Sequence, residues 1–155
     1  MPILLDRIGQ TEVNCTIWVG RVSRSEALGL PGRIDPSRPE FGCLWITYFD
    51  SNADLSDLDA ACLLELRERL RPVVSALAAK GEFRVMIASD SNKYNEPLLA
   101  VWRAMTATDA AYLSNPVVVH DLAFASRALG LSEADAESAR AWIESRVGRL
   151  SPDSR

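Results

Sequence analysis

Polar side chains that could bind a ligand or transfer a proton gather in three short segments, each of which follows an apolar run. The segments span residues 50–56, 89–96 and 120–121. The side chains best suited to binding are Asp50, Ser56, Asp90, Tyr94 and His120. Because Asp, Asn and Ser also cap helices and form turns, the same segments are typical of purely structural loops.

His120 is the single histidine of the chain and the strongest candidate for acid–base chemistry. Beside Asp121 or Asp90 its imidazole could act as a general base oriented by a carboxylate. A lone histidine at a strand end is more often a hydrogen-bonded structural residue, and no Gly-x-Ser-x-Gly nucleophile motif accompanies it. We therefore expect no catalytic residue and a non-enzymatic protein.

The cysteines favour neither a metal site nor a disulfide. Cys15, Cys43 and Cys62 are far apart, odd in number and embedded in apolar stretches, so we expect buried, reduced thiols in a reducing compartment. One histidine and no paired cysteines exclude the usual zinc-ligand pattern. The glycines at 29–32 lack the strand and helix that flank a phosphate-binding loop, so the sequence predicts no cofactor.

Length and charge narrow the class of protein. The chain has 155 residues, which predicts one domain over residues 1–150 and a frayed tail over 151–155. Its net charge of −4 disfavours nucleic acid, whose phosphates require clustered Lys and Arg. No apolar run reaches the length of a membrane span and the first residues do not resemble a secretory signal, so we expect a cytoplasmic protein.

The elements that must position the polar segments form a regular series. Two N-terminal strands and an irregular arm at 29–40 precede three strand–helix units and a final helix after Ser132. This order predicts an α/β fold with a mixed, mainly parallel sheet of four to five strands, helices packed on it and an extra C-terminal helix. Ligands of such sheets bind outside the carboxyl ends of the strands, where the three polar segments should meet.

Three local patterns give sharper predictions. Ser56, with Asp59 three residues on, is typical of a helix N-cap, and Pro72 should kink or split the helix that follows. Ser132 should cap the last helix in the same way. Trp18 lies on the otherwise polar face of its strand, so it should either cover a helix or meet a second subunit.

Three stretches resemble small bacterial STAS-type proteins, the group similar to anti-sigma-factor antagonists. The first is Trp18-Val-Gly-Arg-Val-Ser-Arg-Ser-Glu26, and the second is Leu44-Trp-Ile-Thr-Tyr-Phe-Asp50. The third runs from Arg84 to Asp90 and resumes after a helix at 116–129. The resemblance covers about residues 11–131 and leaves out the last helix.

The resemblance implies a four- or five-stranded mixed sheet and a regulatory binding role, often in a dimer, without catalysis. In the regulatory members, a serine at the start of the helix after the central strand is phosphorylated. Ser56 is the nearest match here and Ser51 the next. This chain has Asp54-Leu-Ser-Asp57 where the family has Asp-Ser-Ser-Gly, so nearby carboxylates would repel a phosphate that the helix N-terminus attracts.

Three functions follow as hypotheses. The first is a STAS-like regulatory domain that binds a protein partner or forms a homodimer. The second is a small-molecule or lipid-binding module that uses the cleft at the carboxyl ends of the strands. The third is a hydrolase or isomerase that uses His120.

Overall fold

The computed structural model describes residues 2–89, 95–107, 117–119 and 121–150, with the backbone alone at 117–119 and 150. Its five strands lie side by side in sequence order. They are β1 (Ile3–Arg7), β2 (Val13–Trp18), β3 (Leu44–Phe49), β4 (Arg84–Ser89) and β5 (Val117–Val119). The pairing of β1 with β2 is antiparallel and the other three pairings are parallel. The predicted α/β fold with a mixed, mainly parallel sheet is confirmed.

Helices cover both sides of this sheet. They are α1 (Arg24–Gly29), α2 (Ala60–Ala78), α3 (Glu96–Thr106), α4 (Leu122–Ala128) and α5 (Glu133–Leu150), with a 3₁₀ turn at Leu30–Arg33. Connections between neighbouring parallel strands are right-handed as a rule, so consecutive connections share one face. Accordingly α1, α2 and α3 pack on one side, here called the α1–α3 face. The opposite side, the α4–α5 face, is covered by the last two helices.

Strand β2 is buried on both faces, although apolar and polar residues alternate along it. Val13, Cys15 and Ile17 pack on the α4–α5 face. Trp18 faces the opposite layer at 5% exposure, with its ring 5.1 Å from that of Phe49. Trp18 therefore packs against the helices of the α1–α3 face. At this exposure its side chain has almost no surface left to contact a second subunit.

The start of α2 was predicted wrongly. Asp59, not Ser56, caps the helix, since its carboxylate accepts the Cys62 backbone N–H at 2.7 Å. Leu55 and Leu58 are both buried, so the segment before α2 packs against the core as a loop. Ser56 belongs to that loop and not to the helix.

Of the two outcomes predicted at Pro72, the split is wrong, because α2 continues through the proline as one helix. Proline removes one backbone donor, which leaves the carbonyl of Glu68 without its helical partner. Both residues are exposed, so water can satisfy that carbonyl. The predicted cap of the last helix is confirmed by the Asp135 N–H, which donates to the Ser132 hydroxyl at 3.1 Å.

No helix within the described residues is long and apolar enough to cross a membrane.

Candidate functional site

Two of the three polar segments meet at the carboxyl edge of the sheet. Asn95 is buried there, and its side-chain amide donates to the Ala53 carbonyl at 2.7 Å. Its side-chain oxygen accepts the Leu55 N–H at 3.3 Å. One amide thus ties the segment after β4 to the loop after β3, as the predicted sheet required.

Asp50 is held inside this loop. Its backbone N–H donates to the Trp18 carbonyl at 3.0 Å, and its own carbonyl accepts the Ala53 N–H at 3.0 Å. Only 8% of Asp50 is exposed. Asp50 therefore extends the pairing of β3 with β2, shapes the turn that follows β3, and does not line an open cleft.

Ser56 lies on the same loop but is exposed. Its hydroxyl and backbone N–H both hydrogen-bond the Asp54 carboxylate and, with help from Arg21, lower the pKa of Asp54. The Arg21 guanidinium donates two hydrogen bonds of 2.8 Å to the Asp57 carboxylate and lowers the pKa of Asp57 as well. Ser56 thus sits between two ionised carboxylates.

The remaining predicted site residues, Asp90, Tyr94 and His120, lie outside the described residues. Of the five candidates only Asp50 and Ser56 can be placed, and one is buried while the other faces solvent. The described part of the carboxyl edge is therefore a loop held in place by hydrogen bonds. Its candidate side chains do not point toward a common binding site.

A feature that the sequence did not predict lies under α2. The α1–α3 face contains a partly open apolar cavity of about 120 Å³ between this helix, α3 and the sheet. Its floor includes Trp45, Thr47 and Phe49 of β3, and Leu66 of α2 is part of its roof. A protein interior normally holds few voids larger than a water molecule, so a cavity of this size requires an explanation.

The irregular arm borders the cavity. It runs from the 3₁₀ turn to β3 and contributes Ile34 to the lining. The Asn14 side chain holds the arm by donating to the Glu40 carbonyl at 2.8 Å and accepting the Gly42 N–H at 2.9 Å. The Lys80 ammonium group, just beyond α2, donates to the Phe41 carbonyl at 2.6 Å. These contacts fix the arm to the sheet and to the end of the helix.

Polar atoms in the cavity are few and come from two threonines. Thr16 and Thr47 are register partners on β2 and β3, so they stand side by side on the floor. The Thr16 hydroxyl accepts the indole N–H of Trp18 at 3.1 Å. Within the described residues, the Thr47 hydroxyl has no hydrogen-bond partner. The indole N–H of Trp45 is also satisfied, because it donates to the Gly42 carbonyl at 2.8 Å.

No ionisable side chain is found among the described residues that line the cavity. The lining can therefore enclose an apolar molecule and offer it hydroxyl hydrogen bonds. The sequence did contain a signal for this site. Trp18, Trp45 and Trp102 all lie on one face of the fold and line the cavity together with the two threonines.

The thiols lie outside the cavity lining. All three cysteines are free, and Cys15 and Cys62 are buried as predicted, whereas Cys43 is only half-buried. Burial raises the pKa of Cys15 to about 12 and also raises the pKa of Cys62, so both remain protonated at neutral pH. No group of three potential metal ligands occurs in the part of the chain that the structure describes.

Comparison with protein-family models, with curated proteins and with solved structures gives no match. The similarity of residues 11–131 to STAS-type proteins therefore stays a prediction, and the cavity provides the firmer basis for a functional proposal.

Proposed function

We propose that this protein is a non-enzymatic binding domain that takes one small apolar molecule into the cavity under α2. The observation that carries the proposal is the cavity itself, with about 120 Å³ of space inside an apolar wall. An engineered apolar cavity of about 150 Å³ stays free of water and binds benzene. The cavity is thus of the size that accepts a single ring.

This size favours a small molecule over a lipid. A long acyl chain would need several times the volume of one ring, so it would have to leave most of its length outside. A ring the size of an aromatic side chain buries on the order of 200 Å² of apolar surface. At about 25 cal/mol per Å² this is worth about 5 kcal/mol, which corresponds to a Kd on the order of 0.1–1 mM.

Toluene is a suitable probe because it is apolar, neutral and of the right size. We expect it to bind with a Kd in that range and to raise the Tm. At ten times its Kd it should stabilise the fold by about 1.4 kcal/mol. The measurement is titration calorimetry combined with thermal unfolding of the full chain.

A matched pair of variants tests whether the ligand occupies this cavity. Leu66→Phe adds bulk to the cavity roof and should abolish the toluene-induced rise in Tm. Leu122→Phe makes the same change on the α4–α5 face and should retain that rise, whatever it does to the Tm of the empty protein. An absent toluene effect in the unmodified protein would contradict the proposal.

A second candidate function is that of a STAS-like regulatory domain that binds a protein partner or a second copy of this chain. Two observations favour it: the mixed, mainly parallel sheet that the resemblance implies, and the exposure of Ser56 at its carboxyl edge. The free cysteines support a reducing, cytoplasmic setting. Phosphorylation of Ser56 would place a dianion beside Asp54 and Asp57, and repulsion would loosen the loop.

Mass spectrometry of the protein isolated from its native host tests this second function. We expect phosphate on Ser56, and its loss in Ser56→Ala but not in the control Ser51→Ala. If the isolated protein carries no phosphate on either serine, the regulatory function loses its support. Light scattering on the same sample reports whether a homodimer forms.

A further inference from the structure

We propose that Thr47 selects the ligand, and that the ligand is a neutral, ring-sized molecule carrying one hydrogen-bond-accepting oxygen. The inference rests on the proposed binding function and adds the chemical class of the ligand to it. Its basis is a hydroxyl group that folding leaves unused.

Thr47 occupies the middle of β3, the central strand of the five-stranded sheet. Its neighbours on the same face, Trp45 and Phe49, are buried, yet Thr47 itself is only half-buried. A residue at the centre of a helix-covered sheet is normally covered by the helix above it. The cavity is what leaves Thr47 accessible.

The hydroxyl of Thr47 adds no hydrogen bond to the described part of the fold. It has no hydrogen-bond partner among the described residues, and the groups around it are almost all apolar. A polar group moved into apolar surroundings without a partner destabilises the protein, whereas valine has the same branched shape without that cost. A threonine at this position is therefore better explained by a partner that arrives with a ligand.

Thr16 adds a second donor to the same floor. It is the register partner of Thr47 on the adjacent strand, and its oxygen already accepts the Trp18 indole N–H. Its hydroxyl proton is given to no described residue. Two hydroxyl donors on neighbouring strands suit an acceptor oxygen such as that of a phenol or an aryl ketone.

The absence of charge in the described lining excludes an ionised ligand. A carboxylate or ammonium group would lose its hydration without gaining an ion-pair partner, at a cost far above that of a neutral hydroxyl. The cavity should thus discriminate between neutral and charged compounds of the same size.

Phenol and toluene test this inference because they differ only in a hydroxyl in place of a methyl group. We expect Thr47→Val to raise the ratio of the phenol Kd to the toluene Kd about threefold to tenfold, as the loss of one hydrogen bond predicts. The control is Thr106→Val, the same change at a fully buried threonine outside the lining, and it should leave the ratio unchanged. Benzoate should bind at least about 100-fold more weakly than phenol.

The outcomes separate the two proposals. If toluene binds but Thr47→Val leaves the ratio unchanged, or if benzoate binds as tightly as phenol, the selection by Thr47 is overturned while the binding function stands. If neither toluene nor phenol binds, both proposals fail. Because valine fits the same space, the variant should fold, and its Tm without ligand verifies this.

Discussion

The two faces of the sheet are packed in opposite ways. On the α4–α5 face small residues such as Ala125 and Ala139, both at most 1% exposed, let the helices approach the strands closely. Ile46 and Ile143 are fully buried between strand and helix. On the α1–α3 face large aromatic and leucine side chains meet across the sheet and leave a cavity. The α1–α3 layer therefore has room for a ligand over the middle of the sheet. On the α4–α5 side the open space, about 650 Å³, lies at the edge, between residues 8–12 and the first half of α5.

Contacts along α2 and just beyond its end hold it to α1 and the arm. In its first half, Glu65 pairs with Arg24 at 2.9 Å, and at its middle Arg69 donates to the Leu28 carbonyl at 3.2 Å. Just past its end, Lys80 is bound to the arm. The helix is braced by α1 and the arm, so side-chain packing alone does not set its height above the strands.

The largest difference between the faces should appear when a core side chain is truncated. We expect Ile143→Ala to cost about 2–5 kcal/mol, because it opens a new void in a filled layer. Leu66→Ala only enlarges an existing cavity and should lie near the lower end of that range. Urea unfolding of both variants measures the two losses, and an equal or larger loss for Leu66→Ala would contradict the difference in packing.

Added bulk should have opposite effects on the two faces. Ala125→Leu inserts a branched chain into a filled layer and should destabilise the protein by about 1–3 kcal/mol. Val85→Ile points one extra methylene into the cavity and should stabilise it by up to about 0.8 kcal/mol. Thermal unfolding of both variants checks the signs. Destabilisation by Val85→Ile would mean that the cavity has no room for the added group.

Removing the Thr47 hydroxyl should stabilise the ligand-free protein. We expect Thr47→Val to raise the free energy of unfolding by about 1 kcal/mol, since it deletes a hydroxyl without a partner. Thr106→Val should have the opposite effect, because that hydroxyl donates to the Trp102 carbonyl at 3.0 Å. Denaturant unfolding curves give the sign of the change in the free energy of unfolding for each variant. A loss of stability in Thr47→Val would show that the Thr47 hydroxyl supports the fold.

The smallest change in stability is expected at the surface ion pair between Arg21 and Asp57. Hydrogen bonds from Arg21 lower the pKa of Asp57 in the folded protein. The ion pair therefore contributes its full stability above about pH 4, the usual pKa of Asp. That stability is lost as the pH falls through the lowered pKa. Asp57→Asn should therefore be slightly less stable at pH 7. The difference from the unmodified protein should narrow below about pH 4 and in high salt. A difference independent of pH and salt would contradict the ionic origin.

Much of the scaffold could be predicted from the sequence because it depends on local patterns. Apolar runs located the strands, and Ser132 marked the start of the last helix. The N-cap of α2 could not be assigned in this way, since Ser56 and Asp59 are both good capping residues. The burial of Leu55 and Leu58, which is a tertiary effect, decides between them.

Tertiary contacts also explain why the polar face of β2 is buried. Asn14 has the polarity of a solvated strand position, yet it is 1% exposed because the arm folds back over it. No local signal separates the cavity from a filled core, because its volume depends on how closely α2 approaches the sheet. Tryptophans and inward-facing threonines could have been noticed together, but they would equally suit a filled core.

The most direct test is a nuclear Overhauser measurement between toluene and the methyl groups of the protein. Binding in the cavity predicts contacts to Val85 and Leu66 on the α1–α3 face and none to Ile46 or Ile143 on the other face. Contacts to both faces, or to Ile46 and Ile143 alone, would contradict the assignment of the ligand site to the cavity under α2.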